Sequence, residues 1–410
     1  MQKSIQNGST EVGKKKTLNI CVVHPNRNAY SETFIRNHIK YLAGNIFEVY
    51  GGWFPAFDKN DQRLADYFIK RSFTAKAIIV LCKLLPAFIA NRIPSVIKGY
   101  PYNEDLNEKS FRFFLKKNKV DIVLAEFMSK GSLVKDVCND LRIPFVVHTH
   151  GGGDIMNNEH IRIFSKWIPD MLQTAARVIS VDSYSSSKLL EMGLQKEKLV
   201  EIGLGIDLEL FKVTKPSAND VVFLAVGRLV NMKAPYLTIL AFSSVVKSYP
   251  QAKLVMAGAG DLLDCCIQIV KALKIESNVI FPGVITPLEV ADYMSKSRAF
   301  VQHSIHSTDG GSEGLPVAVL EAMATGLPVI STFHNGIADT IIHGEDGLLV
   351  NENDINAMAD CMIRLIEEPF FADELGKKAR RKIEQNFEMS KVTGDLALII
   401  NDAYSEYRSL

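Results

Sequence analysis

The chain has 410 residues, 47% of them hydrophobic and 23% charged, with a formal net charge of +1. That length excludes one ordinary core and suits two α/β domains of ordinary globular composition. The charge is unevenly split: residues 1–200 carry 29 Lys and Arg against 19 Asp and Glu, the remainder 18 against 27. The two halves therefore face different partners.

Residues 1–16 are polar and end in Lys14-Lys15-Lys16. They lack the apolar stretch of a secretory leader and read as a disordered lead-in. The first strand is predicted at Leu18–Val23 and a helix between Phe34 and Leu42. From 68 to 100 come six cations (Lys70, Arg71, Lys76, Lys83, Arg92, Lys98) and no acid, interleaved with apolar residues. That composition suits an amphipathic segment on an anionic bilayer, or a solvated helix face over a core. It lacks a nucleic-acid recognition module. Its most apolar run, Ala77–Cys82, is cut by Lys83 and Pro86, well short of a membrane span.

Further strands are predicted at Ile122–Leu124, Phe145–His148, Arg177–Val181 and Val200–Ile202, with a helix between Ser183 and Met192. A join at Phe211–Asp220, broken by Pro216, Ser217, Asn219 and Asp220, separates this half from the next. The second half restarts the alternation. Strands are predicted at Val221–Val226, Lys253–Ala257, Val279–Phe281, Phe300–Gln302, Val329–Ser331 and Leu348–Val350. Helices fit Tyr236–Ser248, Asp261–Leu273, Leu288–Lys296, Val317–Thr325 and Ile355–Glu367. Such alternation signals two doubly wound, Rossmann-like domains with parallel sheets. Neither first strand is followed by G-x-G-x-x-G, which counts against a nicotinamide or flavin enzyme, and no Walker A pattern occurs. The six cysteines (Cys21, Cys82, Cys138, Cys265, Cys266, Cys361) show no metal-ligand spacing and read as reduced thiols of a cytoplasmic protein.

Three segments carry chemistry. His148-Thr149-His150-Gly151-Gly152-Gly153-Asp154 overlaps a strand end, where glycines permit close approach to a ligand and a histidine can stabilise charge or accept a proton. The same residues could hold a metal, against which stand the few hard ligands nearby and the lack of a D-x-D pair. Gly227-Arg228-Leu229, with Lys233 five residues after Arg228, follows a strand at the edge where open α/β sheets bind ligands. Its fork and point charge suit a diphosphate. The strongest signal runs from Ser312 through Glu313-Gly314-Leu315-Pro316 to Glu321 and Gly326. Gly314 and Pro316 mark a helix start whose free N–H groups form an anion site. Carboxylates bracket it, Glu313 before the helix and Glu321 within it, separated by roughly 12 Å at about 1.5 Å per residue. A mid-helix Glu321 among apolar residues calls for a polar partner such as a ribose diol.

These residues resemble the retaining glycosyltransferases of family 4, with the GT-B fold, and within them the bacterial polysaccharide-assembly branch of colanic-acid or amylovoran type. The E-x7-E element Glu313–Glu321 is the most specific match. Gly205-Ile206-Asp207 with Phe211, Gly227-Arg228 with Lys233, Gly326-Leu327-Pro328-Val329 and Asp346-Gly347-Leu348-Leu349-Val350 support it, as does Ser31-Glu32-Thr33-Phe34-Ile35 at the front. The resemblance implies an acceptor-side domain at 17–210, a linker at 211–220, a donor-binding domain at 221–388 and a final helix at 389–410 packing back onto the first domain. It implies that Arg228 and Lys233 hold the donor diphosphate, Glu321 the ribose and Glu313 the sugar. Gly227, Gly314, Leu315 and Pro316 would line the donor, and His150 would stand beside the sugar, with His148 as the alternative.

Retention without a metal or cofactor follows, the leaving phosphate itself taking the proton from the attacking hydroxyl. A lipid-linked glycan acceptor would explain the basic first half and a place at the inner face of the plasma membrane. Acceptor-side candidates are Ser31, Glu32, Gly151, Gly152 and Asp154. The pattern departs from the family in the extra glycine after His150, in Ala234-Pro235 after Lys233, and in Asn335-Gly336 with Asp339 where a Gly-Gly pair and Glu are common. A nucleotide-sugar 2-epimerase of the same fold, or an inactive nucleotide-sugar-binding subunit, are the competing readings. The lobes are expected to close over the donor.

Overall fold

A computed structural model describes residues 16–27, 32–51, 53–66, 104–155, 158–308 and 310–409. Most of the lead-in at 1–16, the candidate Ser31 and the basic segment 68–100 lie outside the described residues.

Two sheets organise the chain. The first has strands β1 (Asn19–His24), β2 (Asn45–Tyr50), β3 (Phe57–Asp58), β4 (Ile122–Glu126), β5 (Phe145–His148), β6 (Arg177–Ser180) and β7 (Leu199–Glu201), in the order β3-β2-β1-β4-β5-β6-β7. All pairs are parallel except β2 with β3. The second holds β8 (Val222–Val226), β9 (Lys253–Ala257), β10 (Val279–Gly283), β11 (Ala299–Val301), β12 (Val329–Thr332) and β13 (Leu348–Val350), in the order β10-β9-β8-β11-β12-β13, parallel throughout. Strand order reverses beside β1 and again beside β8, so each sheet has a crevice at the carboxyl ends of its central strands.

The strands read as continuous apolar runs because both faces of each sheet are covered. Alternate residues go to opposite sides. Cys21, Val23, Val123, Ala125 and Val147 pack with Met128, Val134 and Val137 of the helix Met128–Leu141. Ile20, Val22, Ile122, Leu124 and Val146 pack with Leu396, Ile400 and Ala403 of the last helix, Met389–Ser409. The C-terminal segment thus leaves the second sheet and covers the first. The chain crosses between the sheets twice at one place: Ile206 donates its N–H to the Phe387 carbonyl at 2.8 Å and accepts from Met389 N at 3.1 Å.

The sheets also meet across the cleft. Phe34, Ile35 and Val181 share one apolar cluster with Leu315, Val319 and Ile337. Asp339 accepts from Ser183 N at 3.0 Å and from Ser183 Oγ at 2.7 Å. Cys21, Cys138 and Cys266 are buried free thiols, Cys361 is half-buried and Cys265 exposed. No helix of the described residues is long and apolar enough to cross a membrane.

Candidate functional site

Some of the residues singled out in the sequence come together between the two sheets, Lys233 with Glu313 and Gly151 with Gly314. At the end of β8, Gly227, Arg228 and Leu229 line a pocket with Lys233, Met256, Ala257 and Gln302. Arg228 is exposed, and no side chain among the described residues pairs with its guanidinium. Lys233 ends a short turn, Asn231–Lys233, and its side chain lies over Gly227. Its ammonium forms an ion pair with Glu313 and donates to Gln302 Oε1 at 3.4 Å. Ala234 takes a φ of +34°. This left-handed geometry costs a non-glycine residue on the order of 1 kcal/mol.

The helix after Glu313 spans Val317–Ala324, one residue shorter than predicted. Pro316 is its N-cap, with an extended ψ of 123°, rather than a residue of its first turn. Only the last part of the Glu313–Glu321 interval is therefore helical, and the 12 Å spacing expected from helical rise does not apply. The amides of Gly314, Leu315, Val317 and Ala318 have no acceptor among the described residues. Leu315 itself is buried in the core between the sheets. Glu321 is half-buried with no side-chain partner among the described residues, and burial pushes its carboxyl up to about 7.

From the first sheet comes the loop after β5. His150 donates from Nε2 to the buried Glu126 at 2.7 Å, and its ring lies 4.0 Å from that of Phe34, centroid to centroid. Its Nδ1 is buried without a partner. Burial keeps His150 below the ordinary histidine range, against the pull of Glu126. Glu126 also accepts from His38 Nδ1 at 2.8 Å. Burial alone would raise Glu126, but His38 and His150 outweigh it and hold the carboxyl well below its usual range. His148 is fully buried beneath, both ring nitrogens unpartnered. Gly151, at φ +83°, comes so close to the second sheet that a Cβ there would lie 2.7 Å from Gly314 Cα.

Asp154, expected on the acceptor side, is instead inside the first domain. Its oxygens accept from Met128 N at 3.1 and 3.0 Å and from His150 N at 3.3 Å, and burial pushes it up to about 7. It fixes the loop rather than lining the cleft. Gly152 opens the short helix Gly152–Ile155. Glu32 is half-buried, accepts from Asn26 Nδ2 at 3.2 Å, and lines a separate pocket with His24, Arg36 and Glu48.

Pattern reading missed several groups here. Gln302 touches Lys233, and Glu126 with His38 orients His150. Behind Glu313, His334 stands between Glu313 N, 3.1 Å from its Nε2, and Glu352 Oε1, 2.6 Å from its Nδ1. Asn335 Nδ2 donates to the Glu313 carbonyl at 2.7 Å and to Ser312 Oγ at 2.5 Å. His38 is legible as a polar residue on the apolar Phe34-Ile35 face of its helix, but the other pairings join residues distant in sequence. Two groups bring three metal-ligand-type atoms within 4.8 Å of one another, His38 with Glu126 and His148, and His306 with His334 and Glu352. In the second the carboxylate accepts from both histidines, and in the first Glu126 accepts from His38 while His148 makes no hydrogen bond to it.

Comparison with known proteins places this geometry. The family described as "Glycosyltransferase Family 4" matches residues 78–210, and "Glycosyl transferases group 1" matches 207–382. The chain is 26% identical over 394 residues to the amylovoran biosynthesis glycosyltransferase AmsK of Erwinia amylovora, covering 90% of this chain and 96% of AmsK. It is 27% identical over 254 residues to WcaL of Escherichia coli, named for colanic acid biosynthesis. That match spans 61% of this chain and under two thirds of WcaL, 62%. A third relative, 25% identical over 73% of this chain and 80% of its own length, is the UDP-Gal:alpha-D-GlcNAc-diphosphoundecaprenol alpha-1,3-galactosyltransferase of Escherichia coli. Among solved structures, HepE of Anabaena in complex with UDP shares the fold, with a TM-score of 0.72 at 17% identity, covering 94% of this chain and 100% of that one. The paired sheets, the adjoining family matches over residues 78–382 and the polysaccharide-assembly relatives agree, and the chain belongs to the group 1, family 4 glycosyltransferases of the GT-B fold.

Proposed function

We propose that this protein moves a hexose from a nucleotide diphosphate sugar, UDP- or GDP-linked, to a growing lipid-linked glycan of a cell-surface polysaccharide. The observation that carries the reading is the meeting of Arg228, Lys233 and Glu313 at the carboxyl edge of β8, directly before the unsatisfied amides of Gly314, Leu315, Val317 and Ala318. Two cations and a row of N–H groups suit a pyrophosphate, and they offset the charge that builds on it as it leaves. Glu313, aligned by Lys233, addresses the sugar. Glu321, half-buried and without a side-chain partner among the described residues, takes the ribose diol. Pro316 and Gly227 shape the pocket through their backbone positions.

His150 belongs on the sugar side. Glu126 occupies its Nε2–H and so fixes the tautomer with a bare Nδ1. In the transfer, the bond from anomeric carbon to phosphate oxygen breaks and that from carbon to acceptor oxygen forms on the same face. The acceptor proton passes to the leaving phosphate, so neither a separate base nor a metal is required. Relatives favour UDP over GDP: HepE was solved with UDP, and one curated relative is named for UDP-Gal and a diphosphoundecaprenol acceptor. Gly151, Gly152 and Glu32, with Ser31 outside the described residues, are the acceptor-side positions. A site on the inner face of the plasma membrane fits a lipid-linked acceptor.

A nucleotide-release assay over a panel of nucleotide sugars, with and without undecaprenyl-linked saccharide, tests the reading. Release that depends on acceptor and disappears in R228A/K233A supports it. Release of nucleotide with a free 2-epimerised sugar, or none with any donor, overturns it.

A further inference from the structure

The segment that carries Glu313 is irregular chain, yet an enzyme of this kind needs its carboxylate fixed to within a fraction of an ångström. The start of the helix Asn335–Thr340 supplies the means. His334, just before it, is buried, with Nε2 3.1 Å from the Glu313 amide nitrogen and Nδ1 2.6 Å from Glu352 Oε1. An amide N–H can only donate and a carboxylate can only accept, so both neighbours demand one tautomer: Nδ1–H with a bare Nε2. Glu352 is itself tied down, accepting from His306 N at 3.0 Å and from His306 Nδ1 at 2.9 Å. On the other end of the same residue, Asn335 Nδ2 donates to the Glu313 carbonyl at 2.7 Å.

Both polar backbone groups of Glu313 are thus held by adjacent side chains. Asn335 reaches its place at φ +35°, a left-handed conformation that asparagine tolerates better than most residues. Gly336 completes the approach, since a Cβ there would lie 2.9 Å from the Gly314 carbonyl oxygen and 2.8 Å from Asp182 Cβ.

We infer that His334 and Asn335 form a backbone clamp on Glu313, with Glu352 setting the histidine tautomer, and that these three are positioning residues for the sugar end of the donor site. The inference rests on the proposed reading of Glu313 as the sugar-facing carboxylate. The clamp does not touch Arg228 and reaches Lys233 only through the Glu313 ion pair, so its effect falls on turnover of the sugar rather than on nucleotide affinity.

The test uses the full chain in three parts. A long-range proton–nitrogen spectrum of histidine-labelled protein should show His334 as the Nδ1–H tautomer, and an Nε2–H or doubly protonated ring overturns the clamp. Amide exchange at Glu313 should quicken by about 100-fold in His334→Ala, while Ile330 in β12 keeps its protection. His334→Gln, whose side chain also offers one donor and one acceptor, should restore the slow exchange; unchanged exchange in the alanine variant overturns the clamp. On whichever nucleotide sugar the wild type turns over fastest, His334→Ala should lose about 100-fold in kcat, as expected for a misplaced catalytic group. Calorimetric UDP affinity should stay unchanged, and His334→Gln should recover most of the rate. Full kcat in the alanine variant, or UDP affinity falling in step with kcat, removes the positioning role. Absence of any turnover or UDP binding in the wild type instead overturns the proposed function and leaves the clamp to stand or fall by spectrum and exchange.

Discussion

Gly151 and Gly314 approach across the cleft so closely that a methyl group on the first would sit 2.7 Å from the α-carbon of the second. One belongs to the loop after β5, the other to the loop before the helix Val317–Ala324. Gly151→Ala both meets that backbone and forces a side chain onto φ +83°. It should lower kcat/KM by about 100-fold or more, the scale set by misplacement of about 1 Å, while UDP binding to the second domain persists. Steady-state kinetics beside calorimetry checks this, and a fully active alanine variant would show that the loops need not meet during turnover.

The cations at the end of β8 give a second expectation. Charge-assisted hydrogen bonds are worth about 1.5–3 kcal/mol, so Arg228→Ala and Lys233→Ala should each weaken UDP binding by roughly 10- to 100-fold. Lys233→Ala also frees Glu313 from its ion pair and should cut kcat more than Arg228→Ala does. Wild-type affinity in both variants would refute the diphosphate site.

Glu321 makes donor binding depend on pH. Burial pushes its carboxyl up to about 7 in the free protein, and a ribose diol donating to it favours the ionised form. Binding therefore releases a proton, and affinity should rise by about tenfold per unit as pH climbs towards 7, then level off. A nucleotide sugar is the right probe because its diphosphate does not titrate in this range. Calorimetry between pH 6 and 8 should show the slope in the wild type and none in Glu321→Gln; a slope that survives the substitution assigns the proton elsewhere.

His303 gives a stability prediction independent of function. It is buried, accepts from Asn353 N at 2.8 Å through Nε2, and burial lowers it to about 4. The unfolded chain takes up its proton near the ordinary value of 6.5 and the folded one only near 4. Its contribution is thus present above pH 6.5 and is lost as pH falls through that window, by roughly 3 kcal/mol. Urea midpoints across pH 4–7 should decline less steeply in His303→Gln than in the wild type.

Where apolar runs were continuous, the fold was legible: β5, β9 and β13 lie on their predicted residues. Strand β2 was passed over although Gly44 and Gly51 bracket its Ile46, Phe47, Val49 and Tyr50. The helix Met128–Leu141 hides its period because Lys130 and Lys135 are buried in it. Gly131 interrupts it further, where a Cβ would lie 2.5 Å from Val147 Cγ2. The helix Pro369–Asn386 has only a thin apolar stripe, Leu375, Ala379 and Ile383, among many charges.

The site followed the same rule. Glu313 and Glu321 stand close together in the chain and were visible as a pair. The partners that hold Glu313 were not, because His334 lies 21 residues from Glu313 and Glu352 another 18 beyond. Nothing local in the sequence relates these residues; β12 and β13 pair in parallel and bring their ends together.

The double passage at Ile206 and Glu388 bears on how the two domains can move. Two antagonistic tethers far apart would lock the halves, and a single one would let them swivel. Here both passages run side by side, bonded to each other through Phe387, Ile206 and Met389, with Gly203 packed against the Phe387 ring. They make a binding like the spine of a book, about which the covers turn while shear and twist are resisted. Any swing of the two halves that this pairing permits therefore keeps the Gly151 and Gly314 loops on facing pages.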